Sequence, residues 1–262
     1  MGSPWFYLEF LQTFLAQLVQ AGYENPAIFA LDYTLVPDAS FPTQLRQALR
    51  GYEEVLRYAK DASKVVLSGD SAGATLCLSL LLHLARQFHD IRTLAPRREL
   101  PTPGMAVLIS PWVTLHSPRH RSTPSDYLDA ATLGKYAAMY AGKRQRREAA
   151  EPDPLLSPGT CTDAAWWKDA CPARGMMVTY GDVEVFTPEI DAWIRQLEIW
   201  GIDVDVEQEW NAVHAWPVAS VFLCSSDEAR VSGLRSISRW LHGRPPPKVE
   251  DGREPKGHDG QI

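Results

Sequence analysis

Apolar positions along this chain fall into two rhythms that take turns. From Pro4 to Ala21, Phe6, Phe10, Phe14, Leu15 and Leu18 recur at helical spacing, which predicts an amphipathic helix. Ala27-Ile28-Phe29-Ala30-Leu31 is a short unbroken apolar run and predicts a strand. Phe41 to Lys60 returns to the helical period through Leu45, Leu49, Tyr52, Leu56 and Tyr58. Val65-Val66-Leu67 predicts another buried strand, and Ala72 to Phe88 a helix. Further strands are expected at Met105 to Ile109, Met176 to Tyr180 and Val204 to Glu209, with helices at Pro188 to Trp200 and Glu228 to Leu241. Such alternation predicts an α/β chain with a doubly wound, mostly parallel sheet.

Two stretches break the rhythm. Val113 to Ala173 offers no strand; it carries two aromatic clusters and a basic run, Lys143 to Arg147, which reads as a solvated helix face. From Arg244 on, Pro245-Pro246-Pro247 and mostly charged or glycine residues cannot bury apolar area, so residues 244–262 are expected to be disordered. The expected organisation is therefore one domain over residues 1–243, with an insertion at about 113–173, and no internal repeat.

Composition narrows the function classes. A chain of 262 residues with 45% hydrophobic and 22% charged residues is large enough for one full core. A net charge of −6 argues against nucleic acid or an anionic membrane as the main partner. Cys77, Cys161, Cys171 and Cys224 lack the spacing of a metal site or a disulfide framework, which fits a reducing, cytoplasmic setting. Met1 to Phe10 has no basic leader and contains Glu9, so no secretory signal is expected. The most apolar window, Ala72 to Leu84, is shorter than the roughly 20 residues of a membrane span and is expected to be a core helix.

Between the strand at Val65 and the helix at Ala72 stands Gly69-Asp70-Ser71-Ala72-Gly73. A G-x-S-x-G that joins strand to helix is the nucleophile elbow of the α/β-hydrolases. The flanking glycines allow a tight turn that lifts the Ser71 hydroxyl clear of the sheet. The helix N-terminus behind it can hold a developing oxyanion. A serine hydroxyl needs a general base, and the base needs an orienting acid, in the chain order Ser, Asp or Glu, His. His83 and His89 sit on the helix leaving the elbow, His116 and His120 in the insertion, His242 after the last helix and His258 in the tail. His214 alone follows the last strand directly, where a loop at the C-terminal edge of the sheet can reach the serine. The acid is expected in the turn Gly181-Asp182-Val183-Glu184-Val185-Phe186. Two carboxylates compete there. Glu184, followed by an apolar pair and then the helix, is favoured; Asp182, directly after Gly181, has the alternative role of a turn residue.

These residues, together with Leu31-Asp32-Tyr33-Thr34-Leu35-Val36-Pro37, Ser110-Pro111-Trp112 and Val213-His214, resemble the hormone-sensitive-lipase-like branch of the α/β-hydrolases, the type IV esterases. The resemblance covers nearly all of Gly2 to Gly243. It implies that Ser71 is the nucleophile, His214 the base and Glu184 the acid, where the branch more often has Asp. It further implies that the Ala72 N–H is an oxyanion donor, that Asp70 is a structural neighbour, and that residues 113–173 form a helical cap. A small or medium acyl ester is the implied substrate, with no metal and no organic cofactor. The aromatic residues Trp112, Tyr127, Tyr136, Tyr140, Trp166 and Trp167 could line an acyl pocket or form the core of the cap.

One part of the resemblance is missing. The branch places further oxyanion donors in a His-Gly-Gly-Gly motif before the first helix, and no such motif occurs in this sequence. The N-terminal strands, including the one between Ala27–Leu31 and Val65–Leu67, are expected to be absent as well. The two flanking strands must then pair directly or leave backbone groups unpaired. The simplest expectation is a chain that lacks an N-terminal part. The same features leave two alternatives open: a non-catalytic protein on a hydrolase scaffold, and an amide or formamide hydrolase on the same triad.

Overall fold

The computed structural model describes residues 5–86, 100–142 and 152–244. His89, the end of the helix expected to reach Phe88, the basic run Lys143–Arg147, His258 and the tail beyond Arg244 lie outside them. Among the described residues four parallel strands form one sheet in sequential order: β1 (Val66–Asp70), β2 (Met105–Ile109), β3 (Met176–Gly181) and β4 (Asp205–Glu209). Gly69 lies opposite Leu108, Leu108 opposite Val178, and Val178 opposite Val206, so all four strands end at one edge, β3 and β4 two residues beyond β1 and β2.

Both sheet faces are covered, which is why β2 reads as an unbroken apolar run. Ala106 and Leu108 point into one cluster, with α2 (Thr43–Ala59), α3 (Ala72–Ala85), α4 (Ala130–Ala141), α5 (Ala164–Ala170) and α6 (Thr187–Ile199). Met105, Val107 and Ile109 point the other way, against α1 (Leu8–Gln20), α7 (Trp216–Leu223) and α8 (Asp227–His242). This period of two is the pleat of a strand buried on both sides. Within α3, nine consecutive residues from Leu76 to Leu84 include only Cys77 that is not buried. Among the described residues no helix is long and apolar enough to cross a membrane.

The strand expected over Ala27–Leu31 does not form. Phe29 and Leu31 lie against α2 at Gly51. Just beyond, the Thr34 N–H donates to Gln47 Oε1 and the Thr34 carbonyl accepts from Gln44 Nε2, each at 2.9 Å. A segment held by the side chains of a helix offers no ladder to a neighbour. Of the two expected outcomes, the structure shows the second: among the described residues β1 pairs with β2 alone, which leaves its other side without a strand. The remaining strands and the helices at α1, α2, α6 and α8 fall within a few residues of their expected positions. Helix α7 is an element that the apolar spacing did not announce.

Trp166 and Trp167 are buried in the larger core, not around a pocket. Trp166 Nε1 donates to the Leu82 carbonyl at 2.8 Å, and the Trp167 ring meets Trp193 edge-on at 5.7 Å. Tyr127, by contrast, is 62% exposed.

Candidate active site

Ser71 stands between the end of β1 and the first residue of α3, with φ 54° and ψ −119°. Its N–H donates to the Ile109 carbonyl at 2.9 Å, and its carbonyl accepts from the N–H groups of Thr75 and Trp112 at 3.1 and 3.3 Å. The turn is closed tightly enough that a Cβ on Gly69 would lie 2.5 Å from the Gly73 carbonyl carbon. Only glycine fits there. Ala72 opens α3, so its N–H has no acceptor within the helix.

Glu184 follows β3 and His214 follows β4, both at the edge where β1 delivers Ser71. The loop carrying His214 comes close to the end of β3, because a Cβ on Gly181 would sit 1.9 Å from the Ala212 carbonyl oxygen. Both side chains are buried, at 1% and 3% exposure. Glu184 Oε2 lies 3.4 Å from His214 Nδ1, an ion-pair distance outside hydrogen-bond geometry. The same oxygen accepts a hydrogen bond from Ser110 Oγ at 2.7 Å, and Ser110 Oγ accepts from the Ala215 N–H at 2.8 Å. Asp182 makes no comparable approach; its N–H donates to the Glu209 carbonyl, as a turn residue's would. Among the described residues no hydrogen bond links Ser71 to His214.

The His214 ring is held edge-on against Phe186 at 5.2 Å and Tyr127 at 6.0 Å, and Phe186 stacks on Trp112 at 5.5 Å. Beside the elbow, Tyr7 donates a 2.7 Å hydrogen bond to Asp70 Oδ2. Burial pushes the Asp70 carboxyl above its usual range, against the pull of that hydrogen bond and of His214 nearby. The arrangement puts a strained serine, a histidine and a carboxylate on one sheet edge, in the chain order that nucleophilic acyl transfer uses. Tyr7 and Asp126 have no place in the sequence reading, which holds Ser110 only as part of the resemblance and Tyr127 only as a pocket or cap aromatic, without these contacts. Their partners are main-chain groups or a residue far away in sequence, and no local spacing encodes either.

The family model of the Say1_Mug180 steryl acetyl hydrolases matches residues 5–213. This chain belongs to the steryl acetyl hydrolase family. An acetyl-hydrolase of Streptomyces hygroscopicus is 34% identical over 131 residues, covering 48% of this chain and 40% of that protein. An ethyl acetate hydrolase of Pseudomonas putida is 27% identical over 222 residues, covering 82% of this chain and 63% of that protein. The chain thus spans about half the length of the curated relatives it matches. Among solved structures, the hormone-sensitive-lipase homologue EstE7 from a metagenome library superimposes with a TM-score of 0.71 at 22% identity, covering 93% of this chain and 74% of that one. Carboxyl esterase 2 of the mycorrhizal fungus Tuber melanosporum gives 0.68 at 18% identity, with 93% and 74% covered. The fold of this family member is that of the α/β-hydrolases, as the elbow motif led one to expect.

Proposed function

We propose that this steryl acetyl hydrolase family member is a serine esterase that cleaves a short acyl group, acetyl first of all, from an alcohol through an acyl-enzyme. The observation that carries this reading is Ser71, held at φ 54° at the head of α3, with the buried Glu184–His214 pair at the same sheet edge. The names of the Streptomyces and Pseudomonas relatives support an acetyl-sized acyl group.

Ser71 Oγ bonds to the ester carbonyl carbon while its proton passes to His214 Nε2. Glu184 steadies the imidazolium through Nδ1, and the Ala72 N–H donates to the new oxyanion. Collapse expels the alkoxide, which takes the proton back from His214; water then repeats the sequence and frees the acid. Tightening of the 3.4 Å Glu184–His214 contact is expected on substrate binding, because such bonds are often long before a substrate is bound. The interval 113–173 is read as the cap, its α5 end anchored in the core on α3. The four free cysteines support a reducing compartment such as the cytoplasm.

The test is labelling by a fluorophosphonate probe together with hydrolysis of p-nitrophenyl acetate. Wild-type chain should label and Ser71→Ala should not. Glu184→Gln should lower kcat by about 10⁴-fold, the size of effect seen when an orienting acid is neutralised. Asp182→Asn should stay near wild type. A chain that folds yet neither labels nor hydrolyses would favour a binding protein on a hydrolase scaffold.

A further inference from the structure

The strands bring Glu184 and His214 to one edge, but the residues themselves lie past the strand ends, where the β3–β4 ladder has stopped. Sheet register therefore does not set the distance between the two loops. Direct contact between the side chains does not set it either, since Nδ1 and Oε2 stand 3.4 Å apart without hydrogen-bond geometry. Ser110 Oγ ties Glu184 Oε2 to the Ala215 N–H, and a second tie, made to the main chain of both loops, comes from the turn ahead of α4.

We propose that Asp126, assisted by Tyr127, is the positioning residue that clasps the acid-bearing loop to the base-bearing loop. This rests on the reading of Glu184 and His214 as acid and base. Asp126 Oδ2 accepts from the N–H of Val185, the residue after Glu184, at 2.8 Å. Asp126 Oδ1 accepts from the N–H of His214 itself at 3.2 Å. The next residue completes the grip, because Tyr127 Oη donates to the His214 carbonyl at 3.0 Å. The main chain of His214 is thus held at both its donor and its acceptor by consecutive residues of one loop.

That loop is itself fixed. Thr123 Oγ1 donates to the Val183 carbonyl at 2.7 Å and accepts from the Asp126 N–H at 3.1 Å. Ser122 Oγ donates to Asp129 Oδ1 at 3.0 Å and accepts from the Ala130 N–H at 2.9 Å, while Asp129 caps α4 through the Thr132 N–H. Val183, Val185 and His214 are consequently pinned to one short polar turn ahead of α4.

The chemistry of the clasp is specific to a carboxylate. Each oxygen of an ionised Asp accepts, so one side chain can receive two main-chain N–H groups from different loops. An Asn of the same shape offers one acceptor and one NH₂, and it must set a donor against one of the two N–H groups. Asp126→Asn is therefore the diagnostic change.

Two readouts decide the matter. The first is amide hydrogen exchange followed by NMR, which does not depend on activity. The Val185 and His214 amides should exchange faster in Asp126→Asn and faster still in Asp126→Ala, with the β2 and β3 amides unchanged. The second is kinetics on p-nitrophenyl acetate. In Asp126→Asn kcat should fall by about 10- to 100-fold, the effect of misplacing a reacting group by a fraction of an ångström to an ångström, while KM stays near wild type. Tyr127→Phe, which deletes one hydroxyl from an exposed ring, should give a smaller loss in kcat alone and guards against a variant that fails to fold. Unchanged exchange at both amides, or full kcat in a folded Asp126→Asn, overturns the clasp. Faster exchange in a chain whose Ser71 never labels upholds the clasp and sinks the esterase reading instead.

Discussion

A methyl group placed on Gly69 would sit 2.5 Å from the Gly73 carbonyl carbon and 2.6 Å from its oxygen, whereas one placed on Gly73 would meet nothing within 4 Å. The two glycines of the elbow therefore have different reasons to exist. Gly69→Ala forces backbone apart at the crossing of β1 and α3, and overpacking of that kind costs about 1–3 kcal/mol or more. Gly73→Ala adds a better helix former inside α3 and should gain up to about 1 kcal/mol. Urea unfolding of the two variants checks this: the midpoint should fall sharply for the first and hold or rise for the second. The motif itself was legible in the sequence because its spacing is local. The unequal standing of its glycines was not, since that depends on a distance across the turn.

At the scale of an element, α3 carries a liability in its apolar run. His83 is 1% exposed and neither ring nitrogen has a hydrogen-bond partner among the described residues. Burial holds its pKa below the ordinary histidine value, because the charged form cannot be solvated there. A depressed folded-state pKa contributes stability above the unfolded-state value of about 6.5 and loses it as pH falls below that. Thermal unfolding should show the wild-type midpoint dropping between pH 7.5 and 5.5, and His83→Leu should flatten that drop. An equal slope in both would remove His83 as the cause. Elements whose apolar period is long and clean, such as α2 and β2, were readable from sequence. Ala27–Leu31 forms no strand because an apolar run does not supply a neighbouring strand to pair with, and here the run is largely exposed, Phe29 at 54%. Trp216–Leu223 was missed for a different reason: an eight-residue apolar helix has too little length to show its period. The loop of Asp126 has no period at all, and its role shows only once Val185 and His214 are beside it.

At the scale of the whole molecule, three of the four thiols report on the integrity of the core. Burial pushes Cys77 up to about 12 and Cys171 up to about 11, and it raises Cys161 as well. The thiolate is the reactive form, so these three thiols, Cys161 buried and Cys77 and Cys171 partly so, react slowly while the chain stays packed. At pH 8 a thiol-reactive disulfide reagent should leave Cys77, Cys161 and Cys171 largely unmodified in the native chain and modify them together across the urea transition. Modification of Cys77 well before the others would mean that α3 loosens ahead of global unfolding.

Three non-glycine residues at the site share one backbone peculiarity: Ser71, Ser110 and Ala215 have φ of 54°, 44° and 52°. Each left-handed alanine or serine holds the folded chain back by about 1 kcal/mol or more relative to a glycine in its place. An engineer seeking a hardier protein would thus meet the most tempting substitutions at the very positions that aim the serine, hold the acid and open the helix after the histidine. A glycine at 110 would also delete the hydroxyl that Glu184 receives. Robustness and reactivity are set against each other here by three torsion angles, and selection for heat tolerance alone should erode this site first.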